Sequence, residues 1–520
     1  MREGLTGLPD GWLNITLREI AEIVGGVTKD AKKSLGPGCR EVPYLRVANV
    51  QRGRLDLAEL KTISATEAEI QKLRLQPGDI LLNEGGDRDK LGRGWIWQGQ
   101  IPECIHQNHV FRARLRSHDI DPLYVAHFTN SMAQSYFADH GSQTTNLASI
   151  SLTKLGSLPI RFPPSQEQRR IVSKLEELLS DLDAGVAELK AAQRKLAQYR
   201  QSLLKAAVEG SLTAAWRAAR ADSGAATETG AQLLARILQE RRARWEARQR
   251  ERFAAQGKAP PRDWQKKYPE PVAPDTAGLP ELPQGWVWAT IDQLARVGTG
   301  VTPLRSKRSY FDDGTIPWVT SGALNEEVVS SASELVTQTA LDECRLEVFP
   351  PGALLVAMYG EGKTRGKCAE LAIAATINQA IAAIVLEPAA VHCKAYVKSF
   401  LWDSYQRMRA QAAGGVQPNL NLQIVKSMVL PLPPTDEQEA ISDRLDAQRV
   451  EIGRQHSSVE QALRQATVQR QNIFRAAFSG QLVPQDPADE PADVLLARIR
   501  AARVAPAAIK PRRGRTRESV

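Results

Sequence analysis

No run of eighteen consecutive apolar residues occurs anywhere in the 520 residues, so no ordinary transmembrane helix is expected. Met1-Arg2-Glu3-Gly4 leads into no apolar signal core, and the expectation is a soluble, cytoplasmic protein with no membrane partner. Cysteine is scarce. Cys39, Cys104, Cys344, Cys368 and Cys393 are odd in number, widely spaced and never in a CxxC pair, which suits a reducing compartment and argues against a disulfide framework or a structural zinc site.

Catalytic signatures are missing too. There is no GxSxG nucleophile elbow, no HExxH metal helix, no Asp or Asn followed by Pro-Pro and an aromatic, and no nuclease-like carboxylate pair with a partner lysine. A chain without its own active site, metal or cofactor is expected. An excess of one charge is also nearly absent: the formal net charge is +9, but Lys510, Arg512, Arg513, Arg515 and Arg517, less Glu518, supply +4 of it in the last eleven residues. The remainder is mildly basic, which permits a nucleic-acid partner without demanding one. With 42% hydrophobic and 24% charged residues, the composition is that of a globular protein of three or four domains.

What is present is a duplication. Leu8-Pro9-Asp10-Gly11-Trp12 returns about 274 residues later as Leu282-Pro283-Gln284-Gly285-Trp286. Pro163-Pro164 with Glu167-Gln168 returns as Pro433-Pro434 with Glu437-Gln438, and Ala206-Ala207, Gly210 and Leu212 return as Ala476-Ala477, Gly480 and Leu482. Solenoid repeats are roughly 20 to 50 residues long, so this unit is a whole domain with something attached. Cys104, His106 and His109 lie within six residues, but three ligands with no obvious fourth make a poor zinc set. The second copy aligns Thr376, Asn378 and Ile381 with them, which favours a role for His106 and His109 in packing or in contact with a nucleic acid.

Each repeat reads as a mixed α/β front and a helical back. Asp79 to Leu82 and His109 to Leu115 read as strands, as do Leu354 to Ala357 and Ala380 to Leu386. Asp121-Pro122 is an N-cap followed by proline at the first helical position, and a second helix spans about Lys394 to Gln411.

No proline interrupts Ser165 to Gly210. A helix there is roughly 65 to 70 Å long. Its apolar seam runs through Ile171, Leu175, Leu178, Leu182, Leu189, Leu196, Tyr199 and Leu203. The second back supplies Ile441, Leu445, Ile452, Val459 and Ile473 at matching heptad spacing. Each seam needs a partner, and the other repeat provides it within the chain.

The expected fold is α/β (mixed α+β), with two globular domains separated by two long helices in an intramolecular antiparallel coiled coil. The spacing shows the pairing, whereas the long linker could span a parallel arrangement as well as the antiparallel one. The segments are 1–165 first globular domain, 166–213 first long helix, 214–281 charged helix and proline-rich linker, 282–434 second globular domain, 435–483 second long helix, and 484–520 a basic C-terminal tail disordered at its end. Arginines at 236, 241, 242, 244, 248, 250 and 252 crowd the linker helix; they suit either phosphates or a solvated face. Leu233-Leu234-Ala235-Arg236-Ile237 recurs as Leu495-Leu496-Ala497-Arg498-Ile499, a partial third echo.

Ala357-Met358-Tyr359-Gly360-Glu361-Gly362-Lys363-Thr364 fits a loosened phosphate-loop pattern after an apolar strand. No clear helix follows, no convincing magnesium-binding aspartate is evident, and Asn83 to Lys90 of the first copy lacks the motif. A basic glycine turn explains the same residues.

The order of front domain, Pro-Pro-x-x-Glu-Gln, long helix ending Ala-Ala-x-x-Gly-x-Leu, then all of it again, resembles the specificity subunit of type I restriction-modification enzymes. The Leu-Pro-x-Gly-Trp openings, Ile105-His106-Gln107-Asn108 with Ile377-Asn378-Gln379, and Thr145-Asn146-Leu147 with Pro418-Asn419-Leu420 extend the resemblance over about residues 5 to 485. It implies that each front is a target-recognition domain reading half of an asymmetric bipartite site in double-stranded DNA. It also implies that the helices set the gap and dock two methyltransferase (M) subunits, with restriction/translocase (R) subunits joining. S-adenosylmethionine, ATP and magnesium would belong to those partners.

Base edges carry sequence information, whereas cations on phosphates add affinity alone. The candidate DNA-binding residues are Lys29, Lys32, Arg46, Arg88, Lys90, Arg93, Thr144 and Asn146 in the first front. In the second they are Arg305, Lys307, Arg308, Lys363, Thr364, Arg365, Lys367, Gln417 and Asn419. Two other classes fit parts of the pattern: a coiled-coil adaptor without DNA sequence preference, and a nucleotide hydrolase dependent on Lys363.

Overall fold

A computed structural model describes residues 7–28, 38–86, 90–143, 148–222, 228–359, 366–412 and 420–504. Its principal helices are α1 (Pro122–Ser131), α2 (Ser165–Val208), α3 (Gly230–Ala255), α4 (Lys394–Ala412), α5 (Thr435–Phe478) and α6 (Ala492–Val504). The chain divides into two compact units, one of Met1–Lys190 with Glu460–Val520, the other of Ala191–Val459. Both long helices are therefore shared, each giving one half to each unit. Among the described residues no helix is long and apolar enough to cross a membrane.

In the first unit an antiparallel sheet has the order Ala21–Val24, Val110–Leu115, Ile80–Asn83, Gly94–Ile96. A second sheet places Cys39–Leu45 between Ile105–His106, parallel to it, and Lys61–Thr66, antiparallel. Leu13–Thr16 pairs with Pro159–Phe162, which brings the Leu-Pro-x-Gly-Trp opening beside the start of α2. α1 begins as its sequence dictates: the Asp121 carboxylate accepts from Leu123 N at 2.9 Å and Pro122 occupies the first turn.

The second unit repeats the plan. Val287–Thr290 pairs with Val429–Leu432. The main sheet runs Ala295–Thr299, Ile381–Leu386, Leu354–Ala357, Cys368–Leu371 and Val328–Val329.

Within each unit the long helices pair antiparallel. In the first, Asp183 of α2 meets Arg470 of α5, and Arg170 meets Asp489 at 2.7 Å, so one number rises as the other falls. In the second, Tyr199 donates to Gln448 at 3.2 Å, while Thr213, just past α2, donates to Glu437 of α5 at 2.7 Å.

The seam is not uniform. Ile171, Leu175, Ile441, Leu445 and Ile473 are buried, Leu178, Leu182, Leu189, Leu196, Leu203, Ile452 and Val459 half-buried, and Tyr199 exposed. The spacing of a two-helix seam overlooked Val172, Leu179, Leu204, Ala207 and Val208, all buried. At those ends the helices also face a globular core, so the covered stripe is wider than two positions per heptad.

The largest core of the first unit joins Tyr124, Val125 and Phe128 of α1 to both helix ends and to Ala492, Leu495, Leu496 and Ile499 of α6. Residues 484–520, expected as a basic C-terminal tail disordered at its end, thus include α6, which contributes to a core. The third echo has its explanation here. Leu233, Leu234 and Ile237 of α3 lie in the corresponding core of the second unit. Gly230 N donates to Gly285 O at 2.7 Å, as Ala492 N does to Gly11 O at 3.1 Å. The charged helix is accordingly more than a solvated element, since its first half is a packed component.

The shared motifs meet at one junction per unit. Trp12 Nε1 donates to Glu167 Oε2 at 2.9 Å, and Trp286 Nε1 to Glu437 Oε2 at 2.8 Å. Gln168 and Gln438 donate to the carbonyls of Pro163 and Pro433 at 2.9 and 2.8 Å, which fixes the turn into each helix. Gly480 (φ +75°) lies against Pro9 and Trp12, and Gly210 (φ +76°) against Pro283 and Trp286. A Cβ at Gly480 would stand 2.4 Å from the Pro9 ring, so glycine is required by space as well as by φ.

The two joints differ in chemistry. In the first unit Tyr124 and Phe128 stand edge-on to Phe478 at 5.3 and 5.2 Å, with His127 near Phe474. In the second, Trp402 of α4 is surrounded by Arg200, Arg449 and Lys398. Arg200 and Arg449 share Glu327, and Lys394 and Lys398 share Glu370.

Candidate nucleic-acid interface

Four loops of the first domain are tied to one another by their backbones. Gly85–Gly86 pairs with Ala148–Ser149, which pairs with Ser142–Gln143, so the chain leading toward residue 90 and the two strands flanking 144–147 share one small sheet. Glu84 links them further: its amide donates to His109 O at 3.0 Å and its carbonyl accepts from Ile150 N at 2.9 Å. The segment around Val27 joins the same cluster, since Val27 N donates to His106 O at 2.8 Å and Asn108 N to Val27 O at 2.9 Å.

Glycine permits this convergence. A Cβ at Gly26 would fall 1.9 Å from His106 O.

The second domain builds an equivalent cluster from different residues. Leu354–Ala357 and Cys368–Leu371 form an antiparallel hairpin, closed by Gly366 N to Ala357 O at 2.7 Å. The strands on either side of the phosphate-loop look-alike pair with each other, while residues 360–365 lie outside the described residues. The described chain resumes at Gly366 and runs into the strand Cys368–Leu371 rather than into the helix on which phosphate loops rely. Met358 N donates to Ala380 O at 2.7 Å and Asn378 N to Val319 O at 2.9 Å, which brings the Asn378-Gln379 turn beside the hairpin. Gly300 approaches Ile377 O and brings the loop of Arg305 to Arg308 to the same turn. Tyr359, 42% exposed, stands at the hairpin's base.

Of the candidate residues, Lys29, Lys32, Arg88, Thr144, Asn146, Lys363, Thr364, Arg365, Gln417 and Asn419 lie outside the described residues. The others have distinct roles. Arg46 is half-buried and reaches Glu59 at 3.4 Å, and Arg93 donates to Val47 O at 3.3 Å. Lys90 is half-buried in the same loop.

Arg305 makes a two-pronged ion pair with Glu334 and lies over Trp318, while Lys307 pairs with Glu343 at 2.5 Å. Both are engaged in holding their loop, which the pattern of basic residues does not reveal. Arg308 is exposed, and Lys367 donates to Asn325 Oδ1 at 2.6 Å. Leu304, 66% exposed beside these cations, and Tyr359 were missed; the available signal was an apolar side chain in a glycine- and proline-bounded loop.

The Cys104, His106 and His109 trio is separated by its partners. His106 is fully buried, its Nδ1–H donating to Val110 O at 2.6 Å; burial holds its pKa down to about 4. Burial pushes the Cys104 thiol up to about 12. His109 is half-exposed and engages Glu84 Oε2 at 2.6 Å, with Asn108 Nδ2 on its other nitrogen at 3.3 Å. The strands equate Val110–Leu115 with Ile381–Leu386. The true counterparts of the trio are thus Ala375, Ile377 and Ala380, one position earlier than the sequence alignment places them.

A family model described as the type I restriction modification DNA specificity domain matches residues 9–191 and 283–454, together more than half of the chain. The EcoKI specificity subunit of Escherichia coli K12 is 28% identical over 203 residues, 39% of this chain and 44% of that protein. The StySPI specificity subunit of Salmonella potsdam is 28% identical over 214 residues, 40% of this chain and 45% of that protein. The matched stretches span under half the length of these relatives.

A solved chain from work on complex assembly and conformational transition of the type I R-M system superposes with TM-score 0.61 at 16% identity, covering 91% of this chain and 99% of that one. The HsdS subunit of Thermoanaerobacter tengcongensis gives TM-score 0.50 at 16% identity, covering 92% and 100%. These two likenesses speak for the fold. Matched by the family model once in each repeat, with each match running from a globular front into a long helix, the chain belongs to the type I restriction modification DNA specificity domain family.

Proposed function

We propose that this chain is the DNA specificity subunit of a type I restriction-modification complex. Each globular domain reads one half of an asymmetric bipartite duplex target, and the long helices fix the gap. The observation that carries this reading is the contrast between the repeats. Their junctions share the same Trp-to-Glu and Gln-to-Pro pairings (Trp12 with Glu167, Trp286 with Glu437), while most of the candidate basic residues of the loops have no like counterpart in the other repeat. A scaffold kept constant beneath two different loop sets suits two half-sites of different sequence.

The remaining roles belong to the same reading. Two methyltransferase subunits dock on the helices, where Tyr199, Val450 and Val468 leave apolar surface exposed, and restriction/translocase subunits join for cleavage. S-adenosylmethionine, ATP and magnesium are held by those partners, and this chain contributes recognition without catalysis. The loop candidates at 29–32, 88–93, 144–146, 305–308, 363–367 and 417–419 supply the DNA contacts.

The deciding experiment maps methylated adenines in host DNA with and without the chain. A bipartite motif that disappears with it is expected. Unchanged methylation would overturn the proposal.

A further inference from the structure

α3 outruns its role as a packed element. Its first turns match α6 in sequence and burial, and Arg241 and Arg244 still anchor it, to the Asp292 carbonyl and to Glu387 at 2.8 Å. Beyond Arg244 it continues for about three turns to Ala255.

There the chain doubles back. Gly257 (φ +63°) ends the helix, with Lys258 N donating to Phe253 O at 2.9 Å. Pro260-Pro261 and a short 3-10 turn, Trp264–Lys267, then return along the helix.

This hairpin is locked by rings. Trp245 stacks on Trp264 at 5.6 Å and meets Tyr268 edge-on at 5.3 Å, and Phe253 closes the far side of Trp264 at 6.0 Å. Arg242 lies over Tyr268 and Arg250 over Trp264. A segment that merely joins two domains does not need a ring zipper; flexible polar sequence spans such gaps at lower ordering cost.

Its charge is one-sided. Residues 241–267 contain ten Arg and Lys against Glu246, Glu251 and Asp263. Glu246 is occupied by Arg242 and Arg250, and Asp263 by Lys266. Arg248, Arg252, Lys258, Arg262 and Lys267 are exposed and have no ion-pair partner among the described residues.

We infer that this aromatic-locked hairpin is a second DNA-contacting surface, which grips the phosphate backbone without reading bases. The inference rests on the proposed function and adds a contact outside both recognition domains. A duplex carries one negative charge per roughly 1.7 Å of axis, so each exposed, unpaired cation of the hairpin, beginning with Arg248 and Arg252 one turn apart on α3, finds a phosphate within reach. Protein–protein interfaces enrich Arg and aromatic residues but deplete Lys, so Lys258 and Lys267, exposed in the same set, are the members that favour phosphates over a protein partner.

The test replaces Arg248, Arg252, Lys258, Arg262 and Lys267 by Gln in the whole chain and measures binding to target and scrambled duplexes across a salt series. Affinity for both duplexes should fall by the same factor, at least tenfold at low salt, with target discrimination unchanged. The slope of log K against log salt should flatten by about 2 to 4, each lost phosphate contact being worth about 0.9. A companion carrying Lys at all five positions should retain the slope of the original chain.

If the Gln variant keeps its fold by circular dichroism and its slope is unchanged, the inference is overturned. Unchanged DNA binding with weakened capture of methyltransferase subunits would reassign the ridge to a protein partner. Absence of target discrimination in the unsubstituted chain would instead defeat the proposed function, a separate result.

Discussion

Trp12 Nε1 donates to Glu167 Oε2 at 2.9 Å, and that carboxylate's other oxygen has no hydrogen-bond partner among the described residues. The equivalent Glu437 is better served, accepting from Trp286, Thr213 and Arg217. Trp12→Phe removes the one donor of a buried carboxylate and should cost about 2–3 kcal/mol. Trp286→Phe should cost about 1 kcal/mol, because two donors remain. Thermal melts of both variants check the ordering, and equal losses would contradict it.

Acid should affect the Glu167 junction and the ionic cluster around Trp402 in opposite senses. Burial raises the Glu167 carboxyl above its ordinary range despite the Trp12 hydrogen bond and Arg170. A raised folded-state value means the contribution is fully present below the unfolded pKa and is lost as pH rises through the folded one. Glu167→Gln should therefore lose less stability than the parent between acid and neutral pH. Burial also pushes Glu327 and Glu370 upward, but Arg200 and Arg449 at the first, and Lys394 and Lys398 at the second, outweigh it and leave both below the ordinary range. Their contribution is present above the unfolded pKa and lost as pH falls, so Glu327→Gln should flatten the acid side of the stability curve.

Gly480→Ala should destabilise by about 2 kcal/mol or more, from the left-handed backbone together with collision with Pro9. Gly453→Ala is the opposing control. It lies within α5, where an added methyl would meet nothing within 4 Å, and alanine there should stabilise by up to about 1 kcal/mol. Denaturant midpoints of the pair check both signs.

Salt should distinguish the joints. The Trp402 cluster depends on partly exposed ion pairs, which 1 M salt screens, whereas the Phe478 joint is aromatic. Hydrogen exchange in α4 should quicken between 0.1 and 1 M salt, with α1 unchanged. Equal responses would mean that the ionic cluster does not hold its joint.

Loop substitutions should be confined in their effects. Asn108→Ala should alter preference within one half-site, and Tyr359→Ala within the other, each by about 1–3 kcal/mol of discrimination. Methylation mapping of each variant reads this directly, and a change in both halves from one substitution would break the assignment of one domain to each half-site.

Much of the scaffold was legible because its signals are local or repeated. Heptad spacing located α2 and α5, Asp121-Pro122 marked the start of α1, and the duplicated Trp, Glu-Gln and Gly motifs marked the junctions. What those motifs do was not legible, since Trp12 and Glu167 meet across 155 positions and no periodicity records such a pairing. α6 resembled a tail because its apolar residues cover only one stripe, and the core it completes is distant in sequence. For the loops, basic residue type alone did not separate Arg305 and Lys307, committed to Glu334 and Glu343, from exposed Arg308.

The division of the chain has a consequence for its synthesis. The second unit is one continuous stretch, Ala191–Val459, but the first needs residues from Glu460 onward. Ile473, Ala477, Phe478 and Leu495 belong to its core. At typical elongation rates the intervening residues take roughly 15 to 55 seconds to emerge. During that interval the first domain waits with the faces of Tyr124 and Phe128 uncovered, so the unit begun first is the last to be completed.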